Sequence, residues 1–314
     1  MQIELTPVDR LIAQTPLVGV GEYVCPVDHP QFRGGGPETC PYVVFSRYSV
    51  HLRSSRGTAE VCSPATVNLL DVGDSYERGA ISTEGVHCDW IAISPSLLRE
   101  IAREHAPQLA DSADSVFVRA VAPVSAATFI AQRRFFAAAN ASRPDALALE
   151  ESALRLVSAV MLETTPAARP AERKPRRNGA RRYDIVETAK HLLAQDCSAR
   201  HSLVELARNV HCSPAYLSRS FARLVGCSLH AYLQQLRLRA SLDLLGECRY
   251  NAAAIAAQLG FSSHSHFTYA FRRTFGVTPS EFARSGKRNH MSASARSLTR
   301  CAANSDCWGR RARP

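Results

Sequence analysis

The sequence predicts an α+β chain in two parts. A small antiparallel β-barrel is followed by two helices; an all-α half then follows, with two helix-turn-helix units joined by a long helix. Between residues 42 and 94, short apolar runs alternate with turn-forming clusters; from residue 125 the apolar spacing changes to threes and fours; and a stretch near residue 213 recurs 50 residues later. The length of 314 residues leaves room for about two domains, each able to bury its own core.

The barrel rests on the runs YVVFSRYSVHLRS at 42–54, ATVNLLDV at 65–72 and HCDWIAIS at 87–94, separated by RGGGP, SSRG and VGDSYERG. Alternating or apolar runs bounded by glycine-rich turns read as the short strands of a small antiparallel β-barrel or sandwich. Residues 125–139 and 145–163 then read as two helices, with Leu147, Leu149, Leu154, Val157, Val160 and Met161 recurring at helical spacing. Such a pair offers an apolar face for packing or for a homodimer, and residues 1–165 form the expected sensor and dimerisation domain.

Residues 166–182 lie in the run ETTPAARPAERKPRRNGARR, which has no apolar periodicity and reads as an exposed linker. Residues 287–314 are rich in Ser, Arg and Asn and nearly free of large apolar groups. They cannot bury enough surface to offset their ordering entropy and read as a disordered basic tail. Between these, residues 184–194 predict one helix, and residues 202–210 a second, with Ser202 as N-cap and Glu205 three positions on as a capping box.

At an offset of 50, SPAYLSRSFARLVGCS (213–228) echoes SHSHFTYAFRRTFGVT (263–278): Ser213 meets Ser263, Leu217 Phe267, Phe221 Phe271, Arg223 Arg273 and Gly226 Gly276. Each copy follows a short helix in which Ala207 and Ala256 match at an offset of 49. A small residue there lets the two helices of each unit cross closely. The second helix of the first unit buries Leu217, Phe221, Leu224 and Val225 and turns Ala215, Ser218, Arg219 and Ala222 outward. That of the second buries Phe267, Ala270, Phe271 and Phe275 and turns Ser265, Thr268, Tyr269, Arg272 and Arg273 outward. Both outer faces are small, polar or cationic and lack carboxylates, the composition of a helix that enters a major groove of double-stranded DNA. The run HAYLQQLRLRASLDLL at 230–245 is a helix that can hold the units apart.

Charge follows the same division. Residues 1–165 hold 13 Lys and Arg against 19 Asp and Glu, a balance of −6, whereas residues 166–314 hold 25 against 9, a balance of +16. An anionic partner belongs to the second half.

Residues 183–286 resemble the DNA-binding domain of AraC/XylS-type transcriptional regulators. The resemblance is carried by SPAYLSRSF, Gly226 and Ser228, YLQQLRLRAS, Leu244–Leu245 as a pair, IAAQLGF, SHF at 265–267, and Phe275, Gly276, Pro279 and Phe282. It implies that Ala215, Ser218 and Arg219 in the first unit, and His264, Ser265, Thr268 and nearby Tyr269 in the second, read bases. Arg223, Arg272 and Arg273 join them as DNA contacts. Two departures stand out: Ser263 where the family often has an acidic residue, and His211 where a glycine would ease the first turn. The first half resembles, more loosely, the cupin-like β-barrel sensor domains found ahead of such units, through TVNLLDVGDSYERG and IAISPSLLREIA. The resemblance implies an activator, a small-molecule effector, RNA polymerase as a partner, and no cofactor.

Alternatives stay open. His264 and His266 lie two apart in a helix, about 200° around its axis, and cannot share a metal. His266 is expected as framework and His264 as a reader. CPVDHP at 25–30, Cys40, Cys62 and the pair His87-Cys88 could form a soft-metal or thiol-reactive site, with Cys25, His29 and Cys88 as a metal- or thiol-responsive switch, since soft ions prefer such ligands; buried thiols and a satisfied histidine are the alternative. A barrel enzyme with a DNA-binding appendage is the third reading, but no GxSxG, HExxH or phosphate-binding loop appears. The first residues carry no signal-peptide run, and no stretch of about 18 apolar residues occurs. A cytoplasmic protein without a membrane partner is expected.

Overall fold

The computed structural model describes residues 3–110, 115–140, 145–165, 177–246 and 251–284. The expected tail at 287–314 and residues 166–176 of the expected linker lie outside them.

Ten strands come first: β1 (Asp9–Gln14), β2 (Val18–Cys25), β3 (Gly34–Gly35), β4 (Tyr42–Ser46), β5 (Val50–Ser54), β6 (Ala59–Cys62), β7 (Thr66–Leu70), β8 (Tyr76–Ala80), β9 (Val86–Ile93) and β10 (Val121–Pro123). Helices α1 (Pro95–His105) and α2 (Pro107–Ala110) precede β10, and α3 (Ala126–Ala139) and α4 (Ala146–Thr164) follow it. The strands form two sheets, one in the order β1-β2-β9-β4-β7-β10 and one in the order β3-β8-β5-β6. Of the two expected alternatives, the strands form a pair of facing sheets rather than a cupin-like barrel: among the described residues no ladder joins one to the other.

The inner strands of the six-stranded sheet, β2, β9, β4 and β7, are covered on both faces and are largely apolar on both. Val43, Phe45, Val67, Leu69, Ile91 and Ile93 face α1, α3 and α4, packing on Leu98, Phe135, Leu156 and Val160. The alternate residues Tyr42, Leu70, Cys88 and Trp90 face the smaller sheet, where Val50, Leu52 and Cys62 meet them. A period of two thus sends each strand into two cores at once. Side-chain caps start the helices: Ser94, Ser125 and Asp145 accept from the backbone N–H groups of Leu97, Thr128 and Ala148. Glu163, near the end of α4, accepts from the Ser125 hydroxyl (2.6 Å) and from Thr128 (2.7 Å) at the start of α3, which fixes the two helices antiparallel.

The second half is helical: α5 (Arg177–Gln195), α6 (Leu203–Asn209), α7 (Pro214–Val225), α8 (Leu229–Gly246), α9 (Ala252–Gln258) and α10 (His264–Phe275). Residues 177–182, expected in the linker, are the first turns of α5. The halves touch. Arg239, 2% exposed, donates to the carbonyl oxygens of Pro64 (2.7 Å) and Val124 (2.6 Å). His51 and His191 stack with their rings 4.8 Å apart, and the Glu187 carboxylate accepts the Val61 N–H at 2.8 Å. Among the described residues, no helix is long and apolar enough to cross a membrane.

Candidate nucleic-acid interface

Two copies of one local design make up the site. α6 and α7 form the first unit and α9 and α10 the second; α7 and α10 start and stop 50 residues apart, and α6 and α9 start and stop 49 apart. Ala207 and Ala256, 1% and 2% exposed, lie at the helix crossings. Each second helix opens on a serine whose hydroxyl oxygen accepts from the N–H three residues on, Ser213 from Tyr216 and Ser263 from His266. Each closes on a left-handed glycine, Gly226 (φ 82°) and Gly276 (φ 76°). The turns reach the left-handed region with different residues: φ is 52° at His211 and 71° at Gly260.

The expected capping box at Ser202 and Glu205 does not form. Ser202 occupies the N-cap position with extended backbone but makes no capping hydrogen bond. Such a box forms instead after α10, where Glu281 accepts from the Thr278 N–H (2.7 Å) and the Thr278 hydroxyl accepts from the Glu281 N–H (3.2 Å).

α8 supplies both cores. Tyr232, Leu233 and Leu236 pack with Leu206, Val210, Leu217 and Phe221 of the first unit. Leu238, Leu242 and Leu245 pack with Ile255, Phe267, Phe271 and Phe275 of the second. Each fully buried phenylalanine contributes about 2–3 kcal/mol relative to exposure. Between the two leucine sets lies Arg237, whose guanidinium donates to the carbonyl oxygens of Cys197 (2.6 Å), Ala199 (2.8 Å) and Gly260 (2.8 Å). It therefore ties the loop before α6 to the turn before α10. The residues alone do not disclose this role; the only signal is the pair of arginines in an otherwise apolar stretch, RLRASLDLL.

Outward residues fall where the repeat puts them. Ala215, Ser218, Arg219, Ala222 and Arg223 of α7 are exposed, as are His264, Ser265, Tyr269, Arg272 and Arg273 of α10, while Thr268 is half-buried. Leu224 departs from expectation: it is 44% exposed, because the helix turns it away from α8. His264 Nε2 lies 3.3 Å from the Thr268 hydroxyl, and His266 Nδ1 2.9 Å from that of Ser262. His266 also meets the Phe261 ring edge-on at 5.8 Å, yet it is exposed. Each α10 histidine is thus bonded to a different neighbour.

Cys25 and Cys88 are buried, and His29 Nδ1 accepts the Gln31 N–H. Burial pushes the Cys88 thiol up to about 12, which suppresses thiolate chemistry. Among the described residues, the group of potential metal ligands within reach of one another is Glu22, His87 and Asp89, which shares only His87 with the sequence candidates. Guanidinium groups already face it: Arg47 donates to Asp89 at 2.7 Å and Arg10 to Glu22 at 3.0 Å. Hydrogen bonding to His87 first, then the two arginines, hold the Glu22 carboxyl down at about 2 against the opposing effect of burial.

Known proteins share the helical design. A family profile described as a helix-turn-helix domain matches residues 206–285. The regulatory protein PocR of Salmonella typhimurium is 35% identical over 80 residues, 26% of this chain and 26% of that protein. The virulence regulon transcriptional activator VirF of Yersinia enterocolitica is 39% identical over 61 residues, 19% of this chain and 22% of its own. A solved transcriptional regulator from Chromobacterium violaceum, of the AraC-type DNA-binding class, is 27% identical across 34% of this chain and 96% of its own, with a TM-score of 0.32. The chain spans about a quarter of the length of these two curated relatives. Its C-terminal part is an AraC-type helix-turn-helix domain.

Proposed function

We propose that this chain is a sequence-specific, effector-responsive transcriptional activator acting in the cytoplasm. Residues 183–286 bind double-stranded DNA, and residues 1–165 sense a small molecule and form a homodimer. One observation carries the reading: α7 and α10 share one frame, and their outward faces hold arginine, serine, threonine and histidine without a carboxylate. Arginines on these faces supply salt-dependent phosphate affinity, and the small polar positions let the helices approach base edges. RNA polymerase is the partner an activator requires.

The test is binding to a cognate site recovered by genome-wide mapping of this chain. Arg219→Ala is expected to weaken cognate binding by about 1–3 kcal/mol and to relax preference at one base pair. Equal loss on cognate and random DNA would refute base reading by Arg219.

A further inference from the structure

Between the two sheets of the first half lies a cavity of about 360 Å³, within the size range of small-molecule sites. Its lining includes Tyr42, Asn68, Arg78 and Trp90, and also the acidic Glu4, Asp9 and Glu38. Arg78 stands out among the arginines of this half. Arg47, Arg56 and Arg133 each face carboxylates, whereas Arg78 makes no ion pair among the described residues. Its guanidinium donates to the Tyr23 hydroxyl (2.7 Å) and the Tyr76 hydroxyl (2.8 Å) and lies over both rings, 4.4 and 4.8 Å from their centroids. The rings hold the cation in place, and its hydrogen bonds go to neutral hydroxyls, while the Glu38 carboxyl acts on it only electrostatically from the same lining. A guanidinium bonded to neutral hydroxyls can exchange them for a ligand carboxylate, whose charge-assisted hydrogen bonds are stronger.

Two further observations point into the same cavity. Asn68, 6% exposed, donates to the Ser46 hydroxyl, but its Oδ1 has no hydrogen-bond partner. Gln31, also in the lining, has an unpartnered Oε1. Buried acceptors left unmatched ask for a donor. Tyr42 and Trp90, edge to face at 5.8 Å, supply aromatic surface.

We infer that the cavity takes a small ring-bearing carboxylic acid with a hydroxyl, its carboxylate on Arg78, its ring against Tyr42 and Trp90, and its hydroxyl donating to Asn68 or Gln31. This rests on the effector-responsive reading and names its ligand class. Glu38 modulates the site. Burial, with Asp9 and Asp74 adding, pushes its carboxyl up to about 7 against the pull of Arg78 and Tyr76. Cys40 and Tyr42 also lie near it. As the pH falls through 7, Glu38 takes a proton and stops competing for Arg78, while the ligand carboxylate stays ionised. Affinity for the acid therefore rises on that descent.

The experiment titrates the full chain with the three monohydroxybenzoates and their matched hydroxybenzamides, by calorimetry and by tryptophan fluorescence. At least one acid is expected to saturate the protein and to bind about tenfold or more tightly than its amide. Arg78→Gln should remove that preference, weakening the acid far more than the amide, and Arg78→Lys, which keeps the charge, should retain it. The proposal is overturned if no acid binds at millimolar concentration, if acid and amide bind alike, or if Arg78→Gln leaves the preference intact. DNA binding of the unliganded chain is measured in parallel. Cognate DNA binding without acid binding sinks the ligand class alone, whereas acid binding without DNA binding sinks the regulatory reading.

Discussion

The two helix-turn-helix units reach the same backbone path by different chemistry. In the second unit the left-handed turn position is Gly260, and a Cβ there would lie 2.2 Å from the Ser198 carbonyl oxygen and 3.0 Å from Arg237 Nη2. In the first unit the corresponding turn carries His211 at φ 52°, its side chain exposed. Close packing of neighbouring elements makes glycine obligatory in the second turn. The first turn lies in the open, so only backbone strain opposes a side chain there. A local sequence rule holds or lapses according to what stands beside the backbone.

The comparison can be broken at graded strengths. Gly260→Ala should destabilise the C-terminal half by about 3 kcal/mol or more, because a left-handed alanine is strained and its methyl overlaps backbone; a chemical-denaturation midpoint within error of the parent would refute the packing account. Ser263→Ala should cost about 1 kcal/mol through the lost cap to His266, whereas Ser202→Ala, which removes no capping bond, should cost a few tenths at most. Equal costs for the two serines would contradict the geometry at α6. His211→Gly should stabilise the first unit by about 0.5 kcal/mol, the relief of left-handed strain less the added freedom of the unfolded chain. A lower melting temperature for that variant would mean that the His211 side chain contributes something its exposure does not disclose.

Legibility differed between the halves for physical reasons. The C-terminal design could be read because it is written twice: matching Leu217 with Phe267 and Gly226 with Gly276 locates helices, cores and caps together. The sheets were read only in part. β4, β5, β7 and β9 are apolar enough to register, but β2 contains Gly19 and Gly21, which break the expected pattern. The reason lies elsewhere in the sequence: a Cβ at Gly21 would collide with the Trp90 ring on the neighbouring strand. β1, β6 and β8 are half exposed, without a periodic signal. The difference between a barrel and two sheets depends on which strands pair, and no single strand carries that information. Within the interface, outward residues follow from helical periodicity. Arg237 does not, because its partners are carbonyl oxygens about 23 and 40 residues away, and backbone acceptors leave no mark in a sequence.

α8 runs unbroken for 18 residues, about 27 Å of rigid rod, and it belongs to both cores. Neither unit can slide along it without abandoning leucines the other end keeps in register. A binding site on DNA would therefore be measured as well as read. One base pair inserted between its halves moves the second by about 3.4 Å and roughly a tenth of a turn around the duplex. A reader with a hinge would follow that displacement. This one would act as a ruler, and its tolerance for altered spacing would be set by how far the DNA can bend to meet it.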